Sequence, residues 1–135
     1  APHLLSDKGK PYPYSPSGMP GVETSLPLML TAMQEGKCDL AQIQKWMCSG
    51  PAALYGIPNK GVIREGFDAD LTLVNLDVSK VVSDEEVFSK VKWSPFSGRA
   101  LTGWPIYTIV GGNIVFDNGI VRDNVYGKAL TYSSQ

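Results

Sequence analysis

The chain opens on a punctuated stretch and then passes through two regimes of apolar spacing. Residues 1–21 carry Pro2, Pro11, Pro13, Pro16 and Pro20 with Gly9, Gly18 and Gly21. That density of breakers argues against helix or strand interiors and predicts one long loop. Loops of about twenty residues are uncommon in compact domains and tend to serve as lids or binding loops. Tyr12, Tyr14 and Met19 give this one apolar bodies that a solvated leader would not need. From Val22 onward, Leu26, Leu28, Met29, Leu30, Ala32 and Met33 crowd into a stretch closed by Gly36. This predicts a largely buried helix with Pro27 in its first turn. A second helix is predicted from an Asp39 N-cap to about Gly50, with Leu40, Ile43, Trp46 and Met47 on one face. Residues 51–54 read as one further turn. The two helices are expected to form a hairpin with its Met and Trp stripe as core.

After Gly56 the spacing becomes that of strands, predicted at residues 69–76, 78–82, 104–110, 113–117 and 120–122. The last three form a meander joined by Gly111-Gly112 and by Asn118-Gly119. Asn-Gly between apolar runs signals a hairpin because a type I′ turn needs positive φ at both central residues. Residues 106–110 are apolar on both faces, so the sheet is expected to be covered on both sides. Helices followed by a run of strands place the chain in the α+β class, with a boundary across residues 56–66.

Charge and composition remove several functions. Twelve basic and thirteen acidic residues give a net charge of -1 over 135 residues, so no field draws the chain to nucleic acid or to an anionic membrane. No apolar run approaches the roughly 20 residues of a membrane span, and the first residues lack a signal peptide's basic and apolar regions. A soluble, cytoplasmic protein is expected. Cys38 and Cys48 lie ten positions apart in a helical stretch, on the order of 15 Å along such a helix, so they are expected as reduced thiols. His3 is the only histidine, and one imidazole without suitably spaced carboxylates or thiols does not build a zinc site. No serine sits in a G-x-S-x-G elbow.

Several motifs do have a recognisable order. Ala1-Pro2-His3, then Gly18-Met19-Pro20-Gly21-Val22-Glu23-Thr24, then the segment from Ile63 through Gly66, Ala69 and Asp70 to Leu71, and finally Trp93-Ser94-Pro95-Phe96 with Leu101-Thr102-Gly103, resemble successive landmarks of the dihydroorotases in the metal-dependent amidohydrolase superfamily. The turn before Ala-Asp-Leu is common to hydantoinases and allantoinases. The A-P-H, G-x-P-G-x-E-T and W-S-P-F motifs favour dihydroorotase.

The resemblance implies a C-terminal portion of such an enzyme. Residues 1–60 would close a TIM-type (β/α)8 barrel, with a substrate loop at 1–21 and the last helices at about 22–55. Residues 61–135 would be the C-terminal part of the flanking small β-sandwich. It also implies a substrate side, with His3 donating to the dihydroorotate carboxylate and the backbone of Ser17, Gly18 and Met19 holding the ring's amide edge. A charged imidazole would make that contact charge-assisted, and Gly18 lets backbone approach the ligand. Ser17 stands where the family often has a bulky Phe or Pro. The family's zinc ligands lie in sequence that this chain does not contain, so no metal and no activity are expected of the chain alone. The implied partners are dihydroorotate, the N-terminal remainder of the enzyme or a second copy, and a transcarbamoylase. The alternatives are a non-catalytic scaffold for that transcarbamoylase, or another cyclic amidohydrolase of allantoinase or hydantoinase type.

Overall fold

A computed structural model describes residues 3–132, so Ala1 and Pro2 of the A-P-H triplet lie outside the described residues. The elements in chain order are α1 (Leu5–Lys8), α2 (Val22–Gln34), α3 (Leu40–Gln44), a π turn (Lys45–Ser49), α4 (Gly50–Leu54), β1 (Leu71–Val81), a 3-10 turn (Asp84–Glu86), β2 (Ala100–Val110), β3 (Asn113–Asp117) and β4 (Ile120–Val121). The four strands make one antiparallel sheet in the order β1-β2-β3-β4. The α+β class holds. Among the described residues no helix is long and apolar enough to cross a membrane.

The helical half differs from expectation in four places. The predicted loop contains α1, one turn of helix seated between the prolines of residues 1–21. Pro27 lies in the second turn of α2, fully buried. There it removes the hydrogen bond to the Glu23 carbonyl, and the Pro27 carbonyl accepts from the Thr31 hydroxyl at 2.7 Å. The second helix starts where the sequence places it, because Asp39 and Gln42 form a capping box. It does not stop near Gly50. A π turn carries it into α4, with the Gly50 N–H reaching back to the Lys45 carbonyl and Pro51 following where an α-helix would need another donor. A Cβ on Gly50 would sit 2.5 Å from that carbonyl oxygen. Finally, α2 finds its main partner in β2 rather than in α3. Of the predicted stripe on the second helix only Ile43 is buried, while Leu40, Trp46 and Met47 are exposed.

The sheet explains the pairing of α2 with β2. Residues 69–76 and 78–82, expected as two strands, are one strand with a bulge, because Leu76, Asp77 and Val78 together face Gly103 between the pairs Asn75↔Trp104 and Ser79↔Thr102. The Asp77 N–H is satisfied by Asn75 Oδ1 at 2.9 Å. β2 starts four residues before the expected Trp104. Gly103 has φ +93, and a Cβ there would lie 2.7 Å from Leu30 Cβ, so glycine is what lets the helix touch the strand. Pro105 is tolerated because it sits beside the register shift at Val74. Thr31 completes the joint, its hydroxyl accepting from the Thr102 N–H at 2.9 Å. β3 has the expected bounds, and Asn118 and Gly119 take φ of 46° and 94°, the predicted I′ turn. The predicted two-sided cover of residues 106–110 is not reached within this chain, since all five remain half-buried. Cys38 and Cys48 are free thiols.

Candidate functional site

Residues 3–21 are held as a shaped loop. Lys8 Nζ donates to the Pro16 carbonyl, Ser15 Oγ to the Lys8 carbonyl at 3.2 Å, and the Tyr14 N–H to the Pro11 carbonyl at 2.8 Å. Lys10 pairs with Asp7 at 2.8 Å and holds the Asp7 carboxyl below its ordinary value. Ser17, Gly18 and Met19 are exposed, with Gly18 at φ +91. His3 is half-buried. No hydrogen bond among the described residues joins its imidazole to Ser17, Gly18 or Met19.

What anchors this loop comes from far along the chain. The Trp93 indole N–H donates to the His3 backbone carbonyl at 2.7 Å, across 90 positions. Glu23, in the first turn of α2, accepts from the backbone N–H groups of Phe88 at 2.9 Å and Ser89 at 2.8 Å. Asp84 accepts from the Ser94 N–H at 2.8 Å. Residues 84–94 thus hold His3 at one end of the loop and the helix that follows Gly21 at the other. The seam between them, lined by Pro20, Glu23, Val87, Trp93 and Ser94, encloses about 60 Å³. That is far below the roughly 300 Å³ at which small-molecule sites begin. The seam is packing, and any ligand must lie on the exposed side of the loop. A wider trough of about 730 Å³ along Ile114, Val121 and Arg122 is open and contains none of the predicted site residues.

Trp93 and Glu23 belong to the W-S-P-F and G-x-P-G-x-E-T motifs, yet nothing local marks them as anchors of the loop. The one available signal was that three motifs with no periodic pattern of their own recur in fixed order. The Ala-Asp-Leu motif has a different job. Asp70 pairs with Lys60 and accepts from the Gly111 N–H at 2.7 Å, and Lys60 also reaches Asp68 at 3.0 Å. Lys60 first, and then the Gly111 amide, hold the Asp70 carboxyl below its ordinary 3.8. Asp70 first, and then Asp68, hold Lys60 above its ordinary 10.5. The carboxylate's contribution to stability is therefore complete above pH 3.8 and is lost as pH falls through the lower folded value. The lysine's is complete below pH 10.5 and is lost as pH rises through the higher folded value. With the Asp70 side chain a third exposed, Asp70→Asn is expected to cost about 1 kcal/mol at neutral pH. Urea unfolding at neutral pH and at a series of pH values below 3.8 checks this, since the gap between variant and wild type should shrink below pH 3.8 and close only below the lower folded value. A gap of the same size at every pH would mean that the charge is irrelevant.

Among the described residues no group of three or more His, Cys, Asp or Glu is placed to hold a metal ion. The one imidazole and the isolated carboxylates do not fit the zinc that the resemblance implies.

With this geometry in view, the comparisons are consistent. The model of the amidohydrolase family matches residues 17–115. A dihydroorotase from Methanosphaera stadtmanae is 39% identical over 123 residues, covering 90% of this chain and 29% of its own length. A dihydroorotase from Methanothermobacter thermautotrophicus is 37% identical, covering 91% and 28%. The solved L-hydantoinase (dihydropyrimidinase) of Arthrobacter aurescens superposes with a TM-score of 0.82 at 39% identity, covering 87% of this chain and 27% of that one. The chain thus spans less than a third of the length of these relatives.

Proposed function

Because the chain belongs to the amidohydrolase family, we propose that it forms the substrate side of a dihydroorotase-like cyclic amidohydrolase. The reaction adds water across the ring amide of dihydroorotate: the C–N bond breaks, the carbonyl carbon gains the oxygen, the nitrogen gains a proton, and N-carbamoyl-aspartate results. The reverse step closes the ring. His3 would bind the substrate carboxylate, and the Ser17, Gly18 and Met19 backbone would bind the amide edge. The supporting observation is the meeting of three separated motifs at Trp93 and Glu23, which shapes a loop whose Gly18 backbone stands open to a ligand.

The metal of this reading is zinc, which would activate the attacking water. Residues outside this chain would have to hold it, so the chain alone is expected to be inactive. Residues 1–60 would close a TIM-type barrel and residues 61–135 would belong to the flanking β-sandwich. The exposed Leu73, Val81, Trp46 and Ile114 support cover by the rest of the polypeptide or a second copy, and a cytoplasmic transcarbamoylase is the further partner of this reading. The Leu26–Met33 face of α2 is less available for such a contact, because Leu30, Pro27 and Thr31 are already buried, with Leu30 and Thr31 meeting β2.

A second reading, a hydantoinase, is favoured by the superposition on L-hydantoinase. The two substrates differ in ring size, a hydantoin having the smaller ring, and in the carboxylate, which dihydroorotate carries and a 5-alkyl or 5-aryl hydantoin lacks. If His3 binds that carboxylate, the full-length polypeptide should convert dihydroorotate with a kcat/KM at least about tenfold above that for such a hydantoin, the scale of one hydrogen bond to a charged group. Steady-state assays on both substrates decide, and a preference for the hydantoin would replace the first reading with the second.

A further inference from the structure

We propose that Trp93 is a positioning residue for substrate binding, acting through His3, and that residues 84–94 are the clamp that gives the substrate loop its shape. The inference rests on the reading of His3 as the carboxylate-binding residue and deepens it. His3 lies near the described beginning of the chain, and its backbone carbonyl has a 2.7 Å bond from the Trp93 indole. A side chain that must meet a small anion with a directed N–H depends on where its backbone is fixed, because a shift of about an ångström removes most of a hydrogen bond. The same segment grips the far end of the loop through the Glu23 carboxylate, which accepts both the Phe88 and the Ser89 N–H. Asp84 in turn fixes the position beside Trp93 by accepting from the Ser94 N–H. Both ends of residues 3–23 are therefore held by one segment, residues 84–94, and the distance between His3 and the Gly18 turn is set there. Trp93 itself lies under the loop, in the seam with Pro20 and Glu23, and the seam is too small to admit a substrate. Its effect on binding must pass through His3.

Trp93→Phe keeps an aromatic ring in the seam and removes only the N–H donor. In the full-length polypeptide, with dihydroorotate as the probe, this variant is expected to raise KM about three- to tenfold, the scale of one lost neutral hydrogen bond, with kcat changed less than about twofold. His3→Ala should raise KM at least about tenfold. Once His3 is Ala, adding Trp93→Phe should change KM by less than about twofold, because the residue that it positions is gone. A loss of structure alone would lower the yield of active enzyme without this dependence on His3. An unchanged KM in Trp93→Phe beside a raised KM in His3→Ala overturns the positioning role and leaves the site intact. Equal factors for Trp93→Phe in both backgrounds overturn it as well, by showing that Trp93 acts elsewhere. An unchanged KM in His3→Ala overturns the site reading and this inference together. If Trp93→Phe does not fold, Glu23→Gln, which places an amide against one of the two N–H donors, is expected to raise KM in the same His3-dependent way, and an effect independent of His3 overturns the clamp.

Discussion

Gly103→Ala is expected to destabilise the folded chain by about 3 kcal/mol. Two costs combine. A non-glycine residue at φ +93 pays on the order of 1–2 kcal/mol of backbone strain. The added Cβ would then lie 2.7 Å from Leu30 Cβ and 3.1 Å from its Cδ1, so α2 must lift from β2 or the strand must bend, at about 1–3 kcal/mol. Lifting the helix also stretches the 2.9 Å bond between the Thr102 N–H and the Thr31 hydroxyl. Urea unfolding of the chain reads the result. A loss below about 0.5 kcal/mol, the range of ordinary surface changes, would show that the helix and strand do not meet at this glycine.

Leu30→Ala addresses the same joint from the other side, with an expected cost of about 3 kcal/mol. Leu30 is 1% exposed. Truncating such a leucine removes its transfer energy and leaves a cavity whose cost depends on how far the neighbours collapse. Here the residue opposite is Gly103, which has no side chain to swing into the space, so little relaxation is available. The pair should also be coupled. In the double variant the contacts of Leu30 Cγ and Cδ1 disappear while the Cβ to Cβ approach of 2.7 Å remains, so the total should fall short of the sum by about 1 kcal/mol. Strict additivity, measured by the same unfolding experiment, would mean that the two sites do not share one contact.

The parts of this fold that were legible in the sequence are those decided within a few residues. The Asn118-Gly119 turn and the bounds of β3 follow from backbone chemistry at two positions, and the start of the second helix follows from Asp39 with Gln42. Where distant partners decide, the pattern misled. Gly103 looks like a breaker just before the predicted strand, but it is a contact with α2, so β2 starts earlier than its composition implies. Asp77 looks like a gap between two strands because the bulge it makes with Leu76 and Val78 exists only opposite Gly103. Pro51 looks like a helix end until the π turn before it supplies a different hydrogen-bond register. The candidate site divides in the same way. His3 and the Ser17 to Met19 turn were readable as motifs, whereas the indole and carboxylate that hold them act across 90 and 65 positions, a distance over which periodicity carries no information.

On the proposed function, this chain supplies the substrate side of the reaction and not its metal. The most direct test is His3→Ala in the full-length polypeptide, with kinetics on dihydroorotate and metal content measured on the same preparation. A loss of about 1.5–3 kcal/mol in kcat/KM, the worth of a hydrogen bond to a charged group, with unchanged metal content is the predicted result. A kcat/KM within twofold of wild type, or a loss of bound metal on removing this imidazole, would contradict it.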